Sequence, residues 1–288
     1  MANSYLNILT FLLTTFFYYL AIKPSLTYDI SSDPVKYKEY VSNNYMYLAV
    51  YFVLVMVLQF IVNASIISST CGGNITENMG AAGVFTFLPW TLIFGILILI
   101  LISYPGFKSA FSDVVGYYWV STSANKIITE LLVNPDVQNK IDSADTKTPQ
   151  QKEALQSAAD AIIKICGNTA ILINQIVPSN FESYWGMLTP LMKEKYQPVN
   201  QETANQETID IKNKLFDLVV TRDNVGESLW YIYTGILLTS IVQLKITTRG
   251  CVNNPKTMEQ NYQKFLEKEK QSKEQQQLAT STTYTITN

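Results

Sequence analysis

The sequence predicts an all-α, polytopic membrane protein with about four transmembrane helices and a helical soluble domain inserted between the third and the fourth. Three observations predict it. Val84 to Ile102 runs VFTFLPWTLIFGILILILI without a charge. Three more apolar blocks stand apart from it, at Tyr5 to Ile22, Tyr45 to Ile67 and Leu229 to Leu244. Between the third and fourth blocks lies a polar stretch of about 120 residues, long enough to fold alone. The expected organisation is therefore three transmembrane helices within 1–104 (about 5–22, 45–67 and 84–102), a helical soluble domain at 105–225, a fourth transmembrane helix at 226–250, and a polar juxtamembrane helix with a disordered tail at 251–288.

The third block is the firmest. At about 1.5 Å per residue it reaches roughly 28 Å, the thickness of a hydrocarbon core. Most of its residues are Leu, Ile, Val or Phe, each favouring insertion by about 0.3–0.6 kcal/mol, so insertion wins despite Pro89 and Gly95. A buried helix of a soluble protein would keep a polar stripe, and here there is none. The first block resembles a signal peptide in length, but no Lys or Arg precedes it and Leu20-Ala21-Ile22-Lys23-Pro24 lacks a small-x-small cleavage pattern, so a retained anchor is expected. The fourth block spans only if Glu227-Ser228 and Lys245 reach headgroup depth, with Trp230, Tyr231 and Tyr233 as an interfacial aromatic belt.

Composition removes several function classes. The chain of 288 residues has a net charge of −2 and no histidine. No basic cluster with interleaved aromatics exists, so nucleic acid is not an expected partner. Without histidine the usual general base, the serine and cysteine triads and most zinc sites are gone. No catalytic, cofactor or metal-binding residue and no small-molecule substrate is assigned, and the chain is expected not to be an enzyme. No Asp, Glu, Lys or Arg lies centrally in a span, which argues against a proton-coupled transporter or voltage-gated channel.

Charge distribution orients the spans only in part. Four spans with an external N-terminus place Lys23, Lys36, Lys38 and the central domain on the cytoplasmic side, and leave the uncharged-by-Lys/Arg loop Thr70 to Gly83 outside. The tail then breaks the rule, because Lys245, Arg249, Lys256, Lys264, Lys268, Lys270 and Lys273 fall on the non-cytoplasmic side. A weak internal repeat at a displacement of 180 residues lays Tyr51 on Tyr231, Leu58 on Leu238, Asn63 on Gln243, Ile66 on Ile246 and Cys71 on Cys251. Two apolar helices match in this way by chance often. As geometry, the repeat puts both cysteines after the second helix of a pair, hence on one membrane face.

Cys71 and Cys251 are accordingly the candidate disulfide, with Cys166 on an apolar helix face; three free thiols are the alternative. Gln59, Asn63 and Gln243 are expected to hydrogen-bond between spans rather than line a pore. The sequons Asn63-Ala64-Ser65 and Asn74-Ile75-Thr76 lie in or beside the membrane and are weak signals.

After the third block, Phe107, Lys108, Phe111, Tyr117 and Trp119 form a candidate membrane-surface segment, or one packed beneath the helical domain. Thr148-Pro149-Gln150-Gln151 predicts a helix to about Val177, presenting Leu155, Ala159, Ile162, Cys166, Ala170 and Ile173 and ended by Pro178. Ser179-Asn180-Phe181-Glu182 predicts a second helix through Trp185, Leu188, Met192 and Tyr196. A third, about Thr203 to Val220, turns Ile209, Lys212, Leu215, Phe216 and Val219 to one side, completing a small bundle. In the tail, Asn254-Pro255 caps a polar helix whose Met258, Tyr262 and Phe265 form a candidate partner-docking face, and the last ten residues are expected to be disordered when free.

Gly83 to Val120, with Pro105, Gly106, Phe107, Lys108, Phe111, Ser112 and Gly116 after an apolar span, resembles a motif of membrane proteins of nucleocytoplasmic large DNA viruses, the algal viruses and their giant relatives. The match covers about a seventh of the chain. The resemblance implies an internal-membrane or minor capsid protein, a late viral structural component that anchors or bridges the membrane beneath the icosahedral shell. It implies as partners the lipid bilayer and capsid or other virion membrane proteins, with the central bundle and tail as contact surfaces. It implies a place in the virion internal membrane, and in host endomembrane during capsid assembly. A disulfide is compatible, since such viruses commonly encode thiol-oxidation machinery. The competing expectation is a cellular four-span scaffold or a small channel or transporter subunit.

Overall fold

The structure is a computed structural model that describes residues 5–71, 75–132, 169–197, 205–248 and 255–281. Among these residues it is all-α, apart from one antiparallel bridge between Leu132 and Met192. Three helices are long and apolar enough to cross a membrane: Pro34–Cys71, Asn78–Ser103 and Gln206–Thr248. The first apolar block gives a shorter helix, Leu6–Ile22.

The elements follow from local chemistry. Helix α1 (Leu6–Phe17) widens into a π-turn at Tyr18–Ile22 and stops before Pro24. A single turn, α2 (Tyr28–Ser32), precedes α3 (Pro34–Cys71). Asp33 starts α3: its Oδ1 accepts the backbone N–H groups of Val35 at 2.9 Å and Lys36 at 3.2 Å, and Pro34 occupies the first helical position. The Lys36 and Val35 N–H groups hold the exposed Asp33 carboxyl below its ordinary range. In α4 (Ile75–Pro89) the proline supplies no N–H, and the ladder passes through a π-segment, Trp90–Gly95, before resuming as α5 (Ile96–Ser103). The expected loop Thr70 to Gly83 is thus mostly helix.

The region expected to form the soluble domain differs from expectation in two ways. The third bundle helix and the fourth span are one uninterrupted helix, α9 (Gln206–Thr248, after α6 Tyr117–Leu131, α7 Thr169–Gln175 and α8 Phe181–Leu188). No Pro lies between Val220 and Leu229, and Gly226 alone is too weak a breaker to end a helix packed on its neighbours. The second helix is shorter than expected, because Pro190 turns it into 3-10 segments at Thr189–Leu191 and Glu194–Tyr196. Asn180 stands at its N-cap position but bonds backwards, accepting from Val177 N at 2.8 Å and donating to the Gln175 carbonyl at 3.0 Å, so its side chain does not cap the helix. The helix expected from Thr148 lies largely outside the described residues, which show its last turns at Thr169–Gln175.

The chain forms two compact units: Met1–Thr14, Val53–Phe94 and Gly235–Asn288 make one, Thr15–Phe52 and Gly95–Thr234 the other. The first is held by apolar contact and by amides. Ala64, Ile66, Ile67, Ala82, Val242 and Ile246 form its core. Phe11 packs edge-on to Phe94 and against Trp90, in the space that the missing side chain of Gly235 leaves. At its polar centre, Asn7 Nδ2 donates to Asn63 Oδ1 at 2.9 Å and to Gln243 Oε1 at 3.3 Å. Gln59 Nε2 donates to the Asn7 carbonyl at 3.0 Å, and Asn63 Nδ2 to Thr86 Oγ1 at 2.8 Å.

All four apolar blocks therefore contribute to one amide network, as expected for Gln59, Asn63 and Gln243; Asn7 and Thr86 carry no signal beyond being polar in an apolar run. Asn63 is fully buried, so its sequon cannot carry a glycan. Replacing Asn63 with Leu removes bonds worth about 0.6 kcal/mol each in a membrane protein. A loss of about 1 kcal/mol of unfolding free energy in detergent is expected, read by thermal or denaturant unfolding.

The second unit holds the bundle core, in which Val120, Ala124, Ile128 and Leu131 of α6 meet Ile173, Phe181, Trp185, Leu188, Met192, Tyr196, Leu215, Phe216 and Val219. Ile211 faces this core while Ile209 is exposed, the reverse of expectation for Ile209. Lys212 lies over the Tyr28 ring, pairs with Glu182 Oε1 at 2.9 Å and donates to the Tyr28 hydroxyl at 2.7 Å, which keeps a charged residue tolerable beside the core.

Candidate functional site

Within the second unit, α9 crosses the segment that leaves the third apolar block at small residues. Gly226 abuts the backbone of Ser112, and Gly116 abuts the carbonyl of Arg222. The approach is close enough that a Cβ on Gly226 would stand 2.7 Å from Ser112 N, and one on Gly116 would stand 2.5 Å from Arg222 O. Ser112, Gly116, Val120, Ala124 and Ile128 therefore form one inward stripe of period four, with Val114, Tyr118 and Trp119 pointing away.

That crossing places Lys108 and Glu227 together. Glu227 Oε1 accepts Lys23 Nζ at 2.6 Å, and its Oε2 meets Lys108 Nζ at 2.5 Å. Lys108 also reaches Asp223 Oδ2 at 3.4 Å, and the Tyr19 hydroxyl donates to Glu227 Oε1 at 3.0 Å. The Lys23 and Glu227 side chains are only 7% and 10% exposed. Burial, the largest influence, would lower Lys108, but the Glu227 and Asp223 carboxylates outweigh it and hold its ammonium above the ordinary lysine value. Burial also leads at Lys23, where it prevails over the same Glu227 and lowers the group. Beside the ions runs a tyrosine cluster: Tyr18 stacks on Tyr51 at 4.4 Å, and Tyr51 contacts Tyr231 at 5.7 Å.

The ionic cluster borders a cavity of about 370 Å³. Its wall draws on the ends of all four apolar blocks, through Lys23 just after the first, Tyr45 and Leu48 at the start of the second, Ile102 at the close of the third, and Tyr231 near the start of the fourth. Chemically this is a latch: one carboxylate, two ammonium groups and a second carboxylate that balance each other.

The expected membrane-surface segment divides between exposed and buried side chains. Phe107 and Trp119 are exposed, Trp119 at 72%, and Phe111 and Tyr117 are half-buried. Lys108 corrects the expectation, because it turns inward to the buried carboxylates instead of outward to headgroups. Tyr231 is a second correction: it is 1% exposed and belongs to the buried tyrosine cluster, while Trp230 packs on Phe107 and Phe111 and donates Nε1–H to the Phe107 carbonyl at 3.0 Å.

The tail forms a helix, α10 (Pro255–Ser281), three residues into the stretch expected to be disordered; residues 282–288 lie outside the described part. Tyr262 and Phe265 are exposed on it, and the side chain of Met258 is outside the described set. Cys71 is disulfide-bonded; Cys166 and Cys251 lie outside the described residues. Among the described residues no three His, Cys, Asp or Glu side chains gather as a ligand set for a metal.

Sequence reasoning missed the Lys23–Glu227–Lys108 latch. The available signal was Glu227 itself, an acid directly before an apolar block whose nearest partners in space are remote in sequence. No family model, no curated protein and no solved structure matches the chain.

Proposed function

We propose that the chain is a structural membrane protein with four crossings, which carries its helical unit on one face of a bilayer and bridges that membrane to a protein shell. The observation that carries this reading is the continuity of Gln206–Thr248, which runs from the bundle core at Leu215, Phe216 and Val219 through the latch at Glu227 into the fourth apolar block. A bundle helix that continues without a break into an apolar block ties the bundle to that block along one stretch of chain, as a scaffold requires. The alternating ends of the four blocks around one cavity support four crossings, with Lys23, Lys36 and the bundle on one side and the tail on the other. The buried ions are closed by their own counter-charges, which suits a latch better than a conduction path.

The resemblance of Gly83 to Val120 supplies the setting: the internal membrane of a large DNA virus particle, with capsid or neighbouring membrane proteins as partners. Exposed Tyr118 and Trp119 would lie at the headgroups, and Tyr262 and Phe265 would offer the tail helix to a partner. Proteomics of purified particles tests this setting, and absence of the chain from virions ends it. Single-cysteine labelling at 75, 140 and 265 tests the topology: 75 and 265 must react from one side and 140 from the other.

Within this reading Cys71 pairs with Cys251. Peptide mapping without reductant is expected to recover that linked pair, and a link from Cys71 to Cys166 would refute it. Cys251→Ser should release a faster-reacting Cys71 thiol.

A further inference from the structure

Arg222 is 1% exposed, and among the described residues no carboxylate forms an ion pair with it, Asp113 and Asp223 acting on it only through space. Its Nη1 donates to the Ile173 carbonyl, while its Nε–H has no acceptor among the described residues. A buried guanidinium with no carboxylate in direct contact is costly, and this one lines the 370 Å³ cavity beside the latch. Two further groups on the same wall lack partners among the described residues, Oδ1 of Asn44 and Oδ1 of Asn174. The orientation of Asn174 is fixed, because its Nδ2 already donates to the Asp113 carbonyl at 2.9 Å and leaves the amide oxygen over. The cavity thus offers one cationic donor and two neutral acceptors.

Charge narrows the ligand. The lining carries Lys23, Lys108 and Arg222 together with Asp113, Asp223 and Glu227, three of each sign. A balanced cavity favours neither a simple anion nor a simple cation; it suits a zwitterion whose anion needs a donor and whose cation carries N–H groups. Depth narrows it further, since the wall is built where the four apolar blocks end, the level of lipid headgroups.

We propose that this cavity binds a phosphoethanolamine group, that of a membrane phospholipid or of the free compound, with phosphate oxygen on Arg222 Nε and the ammonium on the oxygens of Asn44 and Asn174. Phosphocholine has no N–H for the two asparagines, and phosphoglycerol has no ammonium. The site requires a bilayer neighbour but no particular particle, so its failure would leave the virion test untouched.

The test uses the full chain in nanodiscs of phosphatidylcholine, alone or doped with phosphatidylethanolamine or phosphatidylglycerol, with thermal unfolding and lipid retention after detergent extraction as readouts. Phosphatidylethanolamine is expected to raise the unfolding temperature and to be retained stoichiometrically. Arg222→Gln should weaken retention by about tenfold, the loss of one charged hydrogen bond. Asn44→Leu, which spares the guanidinium, should abolish the preference over phosphatidylcholine. Soluble phosphoethanolamine added to phosphatidylcholine discs distinguishes the sources: equal stabilisation supports the site and assigns the free compound, and none supports the lipid. Equal response to all three lipids, preference for phosphatidylglycerol, or an unchanged preference in Asn44→Leu would overturn the proposal.

Discussion

Glu227→Gln is expected to lower the unfolding free energy of the second unit by about 3–5 kcal/mol, the range found when one member of a buried ion pair is removed. The size comes from what remains. Lys23 and Lys108, with side chains 7% and 17% exposed, would keep two ammonium groups in a buried place with only Asp223, 3.4 Å from Lys108, in partial compensation. The pair itself need not be a net gain, because desolvation consumes most of the attraction between buried charges. A triple replacement, Lys23→Met, Lys108→Met and Glu227→Leu, should therefore recover most of the loss. Tryptophan fluorescence during denaturant unfolding reads both, since Trp185 lies in the bundle and Trp230 sits one turn from the latch. If Glu227→Gln cost less than about 1 kcal/mol, the latch would be a surface pair in effect.

How much of this was legible beforehand depends on the range of the interaction. Apolar runs are local, so the helices at Tyr45 to Ile67 and Val84 to Ile102 could be read directly, as could the inward stripe at Trp185 and Leu188. Gln59, Asn63 and Gln243 were recognisable as glue between spans because a polar side chain in an apolar run has few other fates. The fusion of the third bundle helix with the fourth span was not legible, since helix ends are set by tertiary packing once no proline intervenes. Lys108 was misplaced for a similar reason. A lone lysine among aromatics ordinarily lies at the headgroups, and only the fold brings Glu227, 119 positions later, within reach of it. The paired small residues Gly116 and Gly226 lay in plain view, yet their complementarity exists only once two helices cross.

That crossing is the second large effect. Gly226→Val should cost about 3 kcal/mol, the upper part of the range for overpacking a close contact. The first atom added already conflicts with backbone, because a Cβ at 226 would lie 2.7 Å from Ser112 N and 2.9 Å from Ser112 Cα. A side chain could swing away, whereas the Ser112 backbone moves only if the whole segment from Pro105 to Gly116 shifts off α9. Such a shift would draw Lys108 from Glu227, so the variant should also loosen the latch. The damage from Gly226→Val and Glu227→Gln should then combine to less than their sum, since each breaks what the other needs. Gly80 and Gly186 provide the contrast: both lie within helices and would meet nothing within 4 Å, so Gly80→Ala and Gly186→Ala should be neutral or stabilise by up to about 1 kcal/mol. Equal tolerance at Gly226 and Gly186 would mean that the segment after the third apolar block does not bear on α9, and the close crossing that brings Lys108 to Glu227 would lose its physical basis.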